Sequence, residues 1–401
     1  MTYEEIVTSQ VQPSGDRIVF IVLDGLGGLP NKPGGRTELE SAAKPNLDRL
    51  AKEGQTGLID PVGPGITPGS GPGHLGLFGY DPLKFVVGRG VLSALGVGFP
   101  LETIDLAARI NFAALDAGGR ILDRRAGRIP TEECERLVAL LDGMEIPGVR
   151  VFVRAEKEHR AVVVFRGEGI EDGLTDSDPQ ATGVPPEKVR AERPEAGRAA
   201  EIANRFIEET GKRLAGEKRA NGVLLRGFAR YRPLPAFRDR YGLRALALAL
   251  YPMYRGLARL VGMEALDVKG SSSSLFEALV AHYNEYDFFF LHIKDTDKAG
   301  EDGKFDEKRK AIEAADRLIP RLDDLPDKLV IVTGDHSTPA VMKSHSFHPV
   351  PFLIHGRLVR PDSTREFGES TSAAGSLGRF PAREILPLAL AHAGRLKKFG
   401  A

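Results

Sequence analysis

Asp335, His336 and His345 fall within eleven residues of one another, directly after the apolar run Lys328–Thr333. A carboxylate and imidazoles beside a strand end can face divalent metal ions a few ångströms apart, although an Asp-His pair can also simply cap a turn. Asp295, Asp297 and Glu301 follow a second apolar run, at 288–291, and read either as ligands or as a solvated acidic loop. Asp24 closes a third run, Arg17–Leu23, as a ligand or an ordinary turn residue. Oxygen and imidazole donors without thiolate point to manganese, magnesium or a mixed zinc and magnesium site. Gly69-Ser70-Gly71-Pro72-Gly73-His74 sets a hydroxyl among glycines, which let other groups approach closely. At a helix amino terminus that position favours a serine alkoxide and a phosphate esterified to it; the plain alternative is an N-cap serine. His74 and His348 carry no assigned role.

Elements must bring these loops together. The run Arg17–Leu23 is apolar throughout, as expected of a strand buried on both faces, and 45–53 has helix character with Pro45 in its first turn. A helix at 275–286, behind a serine run able to cap it, leads to a strand at 287–294. A helix at 306–318, with Ile312, Ala315, Leu318 and Ile319 as its apolar stripe, leads to the strand Lys328–Thr333. Strands alternating with helices predict an α/β fold with a mostly parallel sheet flanked by helices. Ligands of such sheets bind outside the carboxyl ends of the strands, so three loops distant in sequence can share one crevice.

Between 101 and 243 the texture changes, with strand-like 149–153 and 161–165, a long charged helix near 194–215, and many arginines. This predicts an inserted α+β domain at 101–243 and a discontinuous core of 1–100 and 244–401. Arg124, Arg125, Arg128, Arg226 and Arg255 lie outside the three acidic loops and offer planar cations suited to phosphate and carboxylate.

With 401 residues, 42% apolar and 27% charged, the chain can bury a core of more than one domain. Its 55 basic residues balance 55 acidic ones, which gives no sign of a nucleic-acid or membrane partner. Cys134 is the single cysteine, excluding an intramolecular disulfide, a thiolate zinc cluster and an iron-sulfur site. The opening residues lack the basic and apolar regions of a signal peptide, and a cytoplasmic enzyme is expected.

In order along the chain, VLDGLGGLP, ELESAAKPNLDRLAKEG, ITPGSGPGHLGLFGYDP, DRRAGRI, DTDKAGEDG, TGDHSTP and SHSFHPVP make the sequence resemble the archaeal-type 2,3-bisphosphoglycerate-independent phosphoglycerate mutases of the alkaline phosphatase superfamily. The resemblance spans nearly the whole chain. It implies an alkaline-phosphatase-like core carrying two divalent metals and the nucleophile, with an inserted domain that closes over a phosphoglycerate. It implies interconversion of 3-phosphoglycerate and 2-phosphoglycerate through a phosphoserine at Ser70, with no 2,3-bisphosphoglycerate and with the five arginines holding substrate. One metal site would take Asp24, Ser70, Asp335 and His336; the other would take Asp297, Glu301 and His345. Glu301 stands where the family pattern has histidine, and its carboxylate hardens that site toward magnesium or manganese over zinc. Another metal-dependent phosphotransferase, such as a homoserine kinase, or a phosphatase on the same core is the alternative reading.

Overall fold

A computed structural model of the chain describes residues 1–13 and 15–400. They form two compact units, one of Met1–Val86, Pro235–Tyr251 and Val261–Ala401, the other of Val87–Leu234 and Pro252–Leu260. The strands are β1 (Arg17–Leu23), β2 (Gln55–Asp60), β3 (Asp105–Leu115), β4 (Ile121–Asp123), β5 (Arg150–Lys157), β6 (Arg160–Arg166), β7 (Gly222–Arg230), β8 (Ala245–Ala249), β9 (Glu264–Leu266), β10 (Phe288–Ile293), β11 (Lys328–Thr333), β12 (Val350–Gly356) and β13 (Arg379–Pro381).

The first unit holds an eight-stranded sheet in the order β13-β2-β12-β11-β1-β10-β8-β9. Every pairing is parallel except those of β12 with β11 and with β2, so the mostly parallel sheet expected from the sequence is present. Ile18 to Leu23 of β1 and Phe288 to Leu291 of β10 are buried, which explains why both segments read as unbroken apolar runs. Val22 pairs with Thr333, and Leu23 with Ile293. Asp24, Lys294 and Asp335 therefore leave the sheet close to one level.

Helices cover this sheet for reasons legible in their ends. Ser272–His282 starts from the N-cap Ser271 in a capping box with Ser274. Pro45–Lys52 buries Leu47, Leu50 and Ala51, but its own N-cap, Lys44, gives no side-chain cap. Asp316, at the end of the helix Phe305–Asp316, supplies it: Oδ1 accepts from the backbone N–H of Asn46 at 3.0 Å and of Leu47 at 2.8 Å. One carboxylate thus ties two helices together.

The second unit is α+β. β3 runs antiparallel between β6 and β7, with β4 and β5 completing five strands. Leu106, Ile110 and Phe112 of β3 meet Phe165 of β6 and the helices Thr131–Leu141 and Gly197–Arg213 in one core, which also contains Cys134. Its Sγ–H donates to the Arg160 carbonyl at 3.3 Å, and burial, followed by the charges of Glu135 and Glu156, pushes the thiol up to about 12. The unit begins at Val87 rather than 101, ends its main segment at Leu234 rather than 243, and takes in Pro252–Leu260 as well. Packing explains the difference. The helix Arg89–Gly96 lies so close on β3 that a Cβ at Gly90 would sit 2.2 Å from the Ala107 carbonyl oxygen. Gly256 of Pro252–Leu260 packs equally tightly on that helix, where a Cβ would come within 2.3 Å of the Leu92 carbonyl. Among the described residues no helix is long and apolar enough to cross a membrane.

Replacing Asp316 with Ala strands two backbone donors of the Pro45–Lys52 helix and is expected to lower stability by about 1–3 kcal/mol. The denaturant midpoint reads this directly, and an unchanged midpoint would remove Asp316 from the capping role.

Candidate active site

The first unit gathers three buried carboxylates at the carboxyl ends of its central strands: Asp24 after β1, Asp297 after β10 and Asp335 after β11. Asp24 Oδ2 is 3.0 Å from His292 Nε2 and 3.0 Å from Lys294 Nζ, while Oδ1 faces His336 Nε2 at 3.3 Å. Burial pushes the Asp24 carboxyl up, but its hydrogen bonds with His292 and His336 and the charge of Lys294 prevail and hold it well below the usual range. Lys294 spans the cleft, for its Nζ also donates to Asp297 Oδ2 at 2.6 Å. Asp335 Oδ2 lies 3.2 Å from both His74 Nδ1 and His336 Nε2, and Oδ1 accepts from the Gly25 N–H.

The imidazoles are oriented by what their second nitrogens touch. Thr338 Oγ1 donates to Asp297 Oδ1 at 2.7 Å, so at its 2.9 Å contact with His336 Nδ1 it is the acceptor. His336 therefore carries a proton on Nδ1 and turns Nε2 toward Asp24 and Asp335. His345 does the same: Nδ1 donates to the Pro68 carbonyl at 2.8 Å, leaving Nε2 facing Asp297 at 3.6 Å and Glu301 at 3.7 Å. Fixing one ring nitrogen on a protein acceptor to aim the other is the usual support of a metal-binding histidine. The two rings stack with centroids 3.6 Å apart. Asp24, Asp335 and His336 form one group whose ligand atoms lie within 4.8 Å of one another, and Asp297, His336 and His345 form a second. Burial disfavours a charged His336, but Asp335 and Asp24 overcome it and raise its pKa to about 9.

Ser70 is the first residue of the helix Ser70–Leu77, with Gly69 as the N-cap, so the N-cap expectation for the serine gives way. Its Oγ lies 3.5 Å from His336 Nε2. Gly73 lets the helix sit against the β11 loop, since a Cβ there would fall 2.3 Å from the Asp335 carbonyl oxygen. His74 accompanies it, its Nδ1 donating to the Ser70 carbonyl at 2.8 Å.

The acidic stretch expected as a loop is the short helix Asp295–Glu301. That periodicity separates its carboxylates: Asp295 is exposed, whereas Asp297 and Glu301 share a face four residues apart. Glu301 reaches toward His345 but is 53% exposed and stands outside both tight groups.

The second unit holds the five arginines, and they differ in availability. Arg124 grips Asp178 through Nε and Nη2 at 2.8 and 2.7 Å, and Arg226 reaches the same carboxylate at 3.4 Å. Arg255 is buried. Arg125 and Arg128 are exposed on a turn in which Ala126, Gly127 and Arg128 all have positive φ, pinned by Asp123 accepting from the N–H groups of Arg125 and Gly127. Buried His159 shows where their charge goes. Burial first, then Arg160, Arg109, Arg125 and Arg128, push its pKa down to about 4, so four guanidinium groups share one neighbourhood.

Sequence reasoning passed over His292, Lys294, His74, Thr338, Arg109 and Arg160. A histidine inside the run Phe-Phe-Phe-Leu-His-Ile was the available signal for the first, because a buried strand interior seldom accepts a polar side chain without a partner.

A family model described as 2,3-bisphosphoglycerate-independent phosphoglycerate mutase matches residues 51–219. A Thermus thermophilus protein named probable 2,3-bisphosphoglycerate-independent phosphoglycerate mutase is 49% identical over 401 residues, covering 99% of each chain. Among solved structures, a Pyrococcus horikoshii protein is similar with a TM-score of 0.83 at 33% identity, covering 96% of this chain and 100% of that one. A cofactor-independent phosphoglycerate mutase from Thermoplasma acidophilum gives 0.70 at 32% identity, covering 94% and 100%.

Substituting Asn for Asp297 or Asp335 is expected to weaken Mn²⁺ binding about tenfold or more in calorimetric titration. Asp295→Asn, at the exposed position of the same helix, should leave it within about twofold. Equal affinities across the set would dissociate the buried carboxylates from metal binding.

Proposed function

Since the chain belongs to the 2,3-bisphosphoglycerate-independent phosphoglycerate mutase family, we propose that it interconverts 3-phosphoglycerate and 2-phosphoglycerate through a phosphoserine at Ser70. The observation that carries this reading is the place of the serine hydroxyl, at the first turn of a helix and 3.5 Å from His336, in the cleft of Asp24, Asp335 and Asp297. Three buried carboxylates and two imidazoles with aimed Nε2 atoms fit hard or borderline divalent ions. Asp24, Ser70, Asp335 and His336 would hold one, and Asp297, His345 and Glu301 the other, with manganese or magnesium favoured by so oxygen-rich a set. Bound there, such ions stabilise charge on phosphoryl oxygens and favour the ionised serine.

In the first half-reaction Ser70 Oγ gives up its proton and bonds to phosphorus, while the bond from phosphorus to the C3 oxygen breaks and that oxygen gains a proton. A phosphate esterified to Ser70, the first residue of its helix, would sit at a helix amino terminus, which favours anions. Glycerate turns in place, its 2-hydroxyl loses a proton and bonds to phosphorus, the bond from phosphorus to Ser70 Oγ breaks, and that oxygen regains a proton. The phosphoryl group comes from the substrate itself, so the cycle needs no 2,3-bisphosphoglycerate. Retaining glycerate is what separates mutase from phosphatase. Arg125 and Arg128 are our proposed holders of the substrate's anionic groups, their turn kept by Asp123 in a left-handed conformation that non-glycine residues adopt only at a cost. Arg124 and Arg226, held by Asp178, and buried Arg255 are the remaining candidates for substrate contact.

Incubation with Mn²⁺ and 3-phosphoglycerate should yield 2-phosphoglycerate. Inorganic phosphate as the main product would make the protein a phosphatase, and neither product would overturn the reading. Ser70→Ala should lose on the order of 10³-fold or more in kcat while retaining Mn²⁺ binding. Glu301→His, which exchanges a carboxylate for an imidazole at His345, should raise activity with Zn²⁺ relative to Mn²⁺; an unchanged ratio would exclude Glu301 from the ligand set.

A further inference from the structure

Behind the site, Lys308 of the helix Phe305–Asp316 is fully buried. Lysine is among the residues least often found there, because its ammonium must find partners for three donors in a low dielectric. Nζ donates to the Gly27 carbonyl at 2.8 Å and to the Thr338 carbonyl at 2.8 Å. These two carbonyls belong to different loops. Gly27 lies three residues beyond Asp24 after β1, and Thr338 lies three beyond Asp335 after β11.

Two glutamates complete the arrangement on the same pair of loops. Buried Glu38 accepts from the Ala340 N–H at 2.7 Å, and its other oxygen packs on Gly28, where a Cβ would fall 1.9 Å from Oε2. Glu369 accepts from the Gly28 N–H at 2.8 Å. Burial prevails and lowers the Lys308 pKa from its ordinary value, and the charges of Glu38 and Glu369 offset part of that cost. The clamp therefore grips both loops through backbone groups, leaving their side chains to face the cleft. Thr338 transmits it further, for the residue whose carbonyl Lys308 holds is the one whose hydroxyl donates to Asp297 and accepts from His336.

We propose that Lys308 is a positioning residue for the carboxylate cleft: its buried ammonium, clamping the Gly27 and Thr338 carbonyls, sets the spacing of Asp24, Asp335 and His336 and the aim of Thr338. The inference rests on the reading of this cleft as the metal and phosphoserine site. The ammonium meets both carbonyls from a single nitrogen, a point contact that the longer planar fork of arginine would have to remake.

Removing the ammonium alone would strand two glutamates, so the deciding variant is Lys308→Met combined with Glu38→Gln, which removes one charge of each sign and keeps an acceptor for Ala340. Lys308→Arg serves beside it as a variant that keeps the charge and loses the geometry. Calorimetry of the metal-free proteins with Mn²⁺ should show affinity at least tenfold weaker in both, with far-UV circular dichroism as in the wild type. Turnover of 3-phosphoglycerate should fall at least tenfold in kcat with KM within twofold, a split that general loosening of the fold would not give. A folded variant with Mn²⁺ affinity and kcat within twofold of the wild type overturns the proposal, and so does failure of both variants to fold, which would assign Lys308 to the fold alone. If the wild type makes no 2-phosphoglycerate, the activity reading fails by itself, and the Mn²⁺ affinities still decide the clamp.

Discussion

Placing three carboxylates out of water within a few ångströms of one another is the constraint around which the first unit is built. An ionised carboxylate in such a place is costly unless charge and hydrogen bonds meet it, and like charges raise the cost. Parallel pairing of β1 with β10 and β11 meets the requirement geometrically: one register brings Asp24, Lys294 and Asp335 off the sheet together. A lysine then bridges two of the carboxylates, and imidazoles with one nitrogen already committed to a carbonyl or hydroxyl turn the other inward. The strands beneath are apolar on both faces because a rigid, unhydrated platform keeps these atoms in place.

The second unit is rich in guanidinium groups and pairs many of them with carboxylates. Asp178 holds Arg124 and Arg226, and Arg166 is held by Asp105 and Glu102. Burial first, and then the charges of Arg160, Arg109, Arg125 and Arg128, keep His159 neutral. Exposed Arg125 and Arg128 are presented on a backbone turn that side chains other than glycine seldom adopt.

Much of this was visible in the sequence, and the omissions have physical causes. β1 and β11 were legible to the residue because a continuous apolar run that stops at a charged or turn-forming residue fits a buried strand and little else. The acidic stretch after β10 hid its helix, since seven residues with Gly300 among them and Gly303 just beyond give too little periodicity to distinguish helix from loop. Ser70 looked like a cap because cap and first helical residue differ by a single position. Lys308 sat in a run of charged residues typical of a solvated helix face, and only tertiary packing distinguishes it from exposed Lys310. The second unit's edges fell where the helices Arg89–Gly96 and Pro252–Leu260 pack into it, and no change of composition marks such a place. Metal-binding chemistry left the clearest trace, because it needs particular side chains at strand ends, whereas positioning is done largely by backbone groups common to every residue.

The single thiol has a practical consequence. Cys134 is wholly buried and its proton is held far above neutral pH, so the chain carries no thiolate for an alkylating reagent to find. A cysteine introduced on any exposed helix face would be the one reactive sulfur in the folded protein. Two such positions, one in each unit, would take a donor and an acceptor dye without any native cysteine having to be removed, so that distances could be followed in a chain otherwise unaltered.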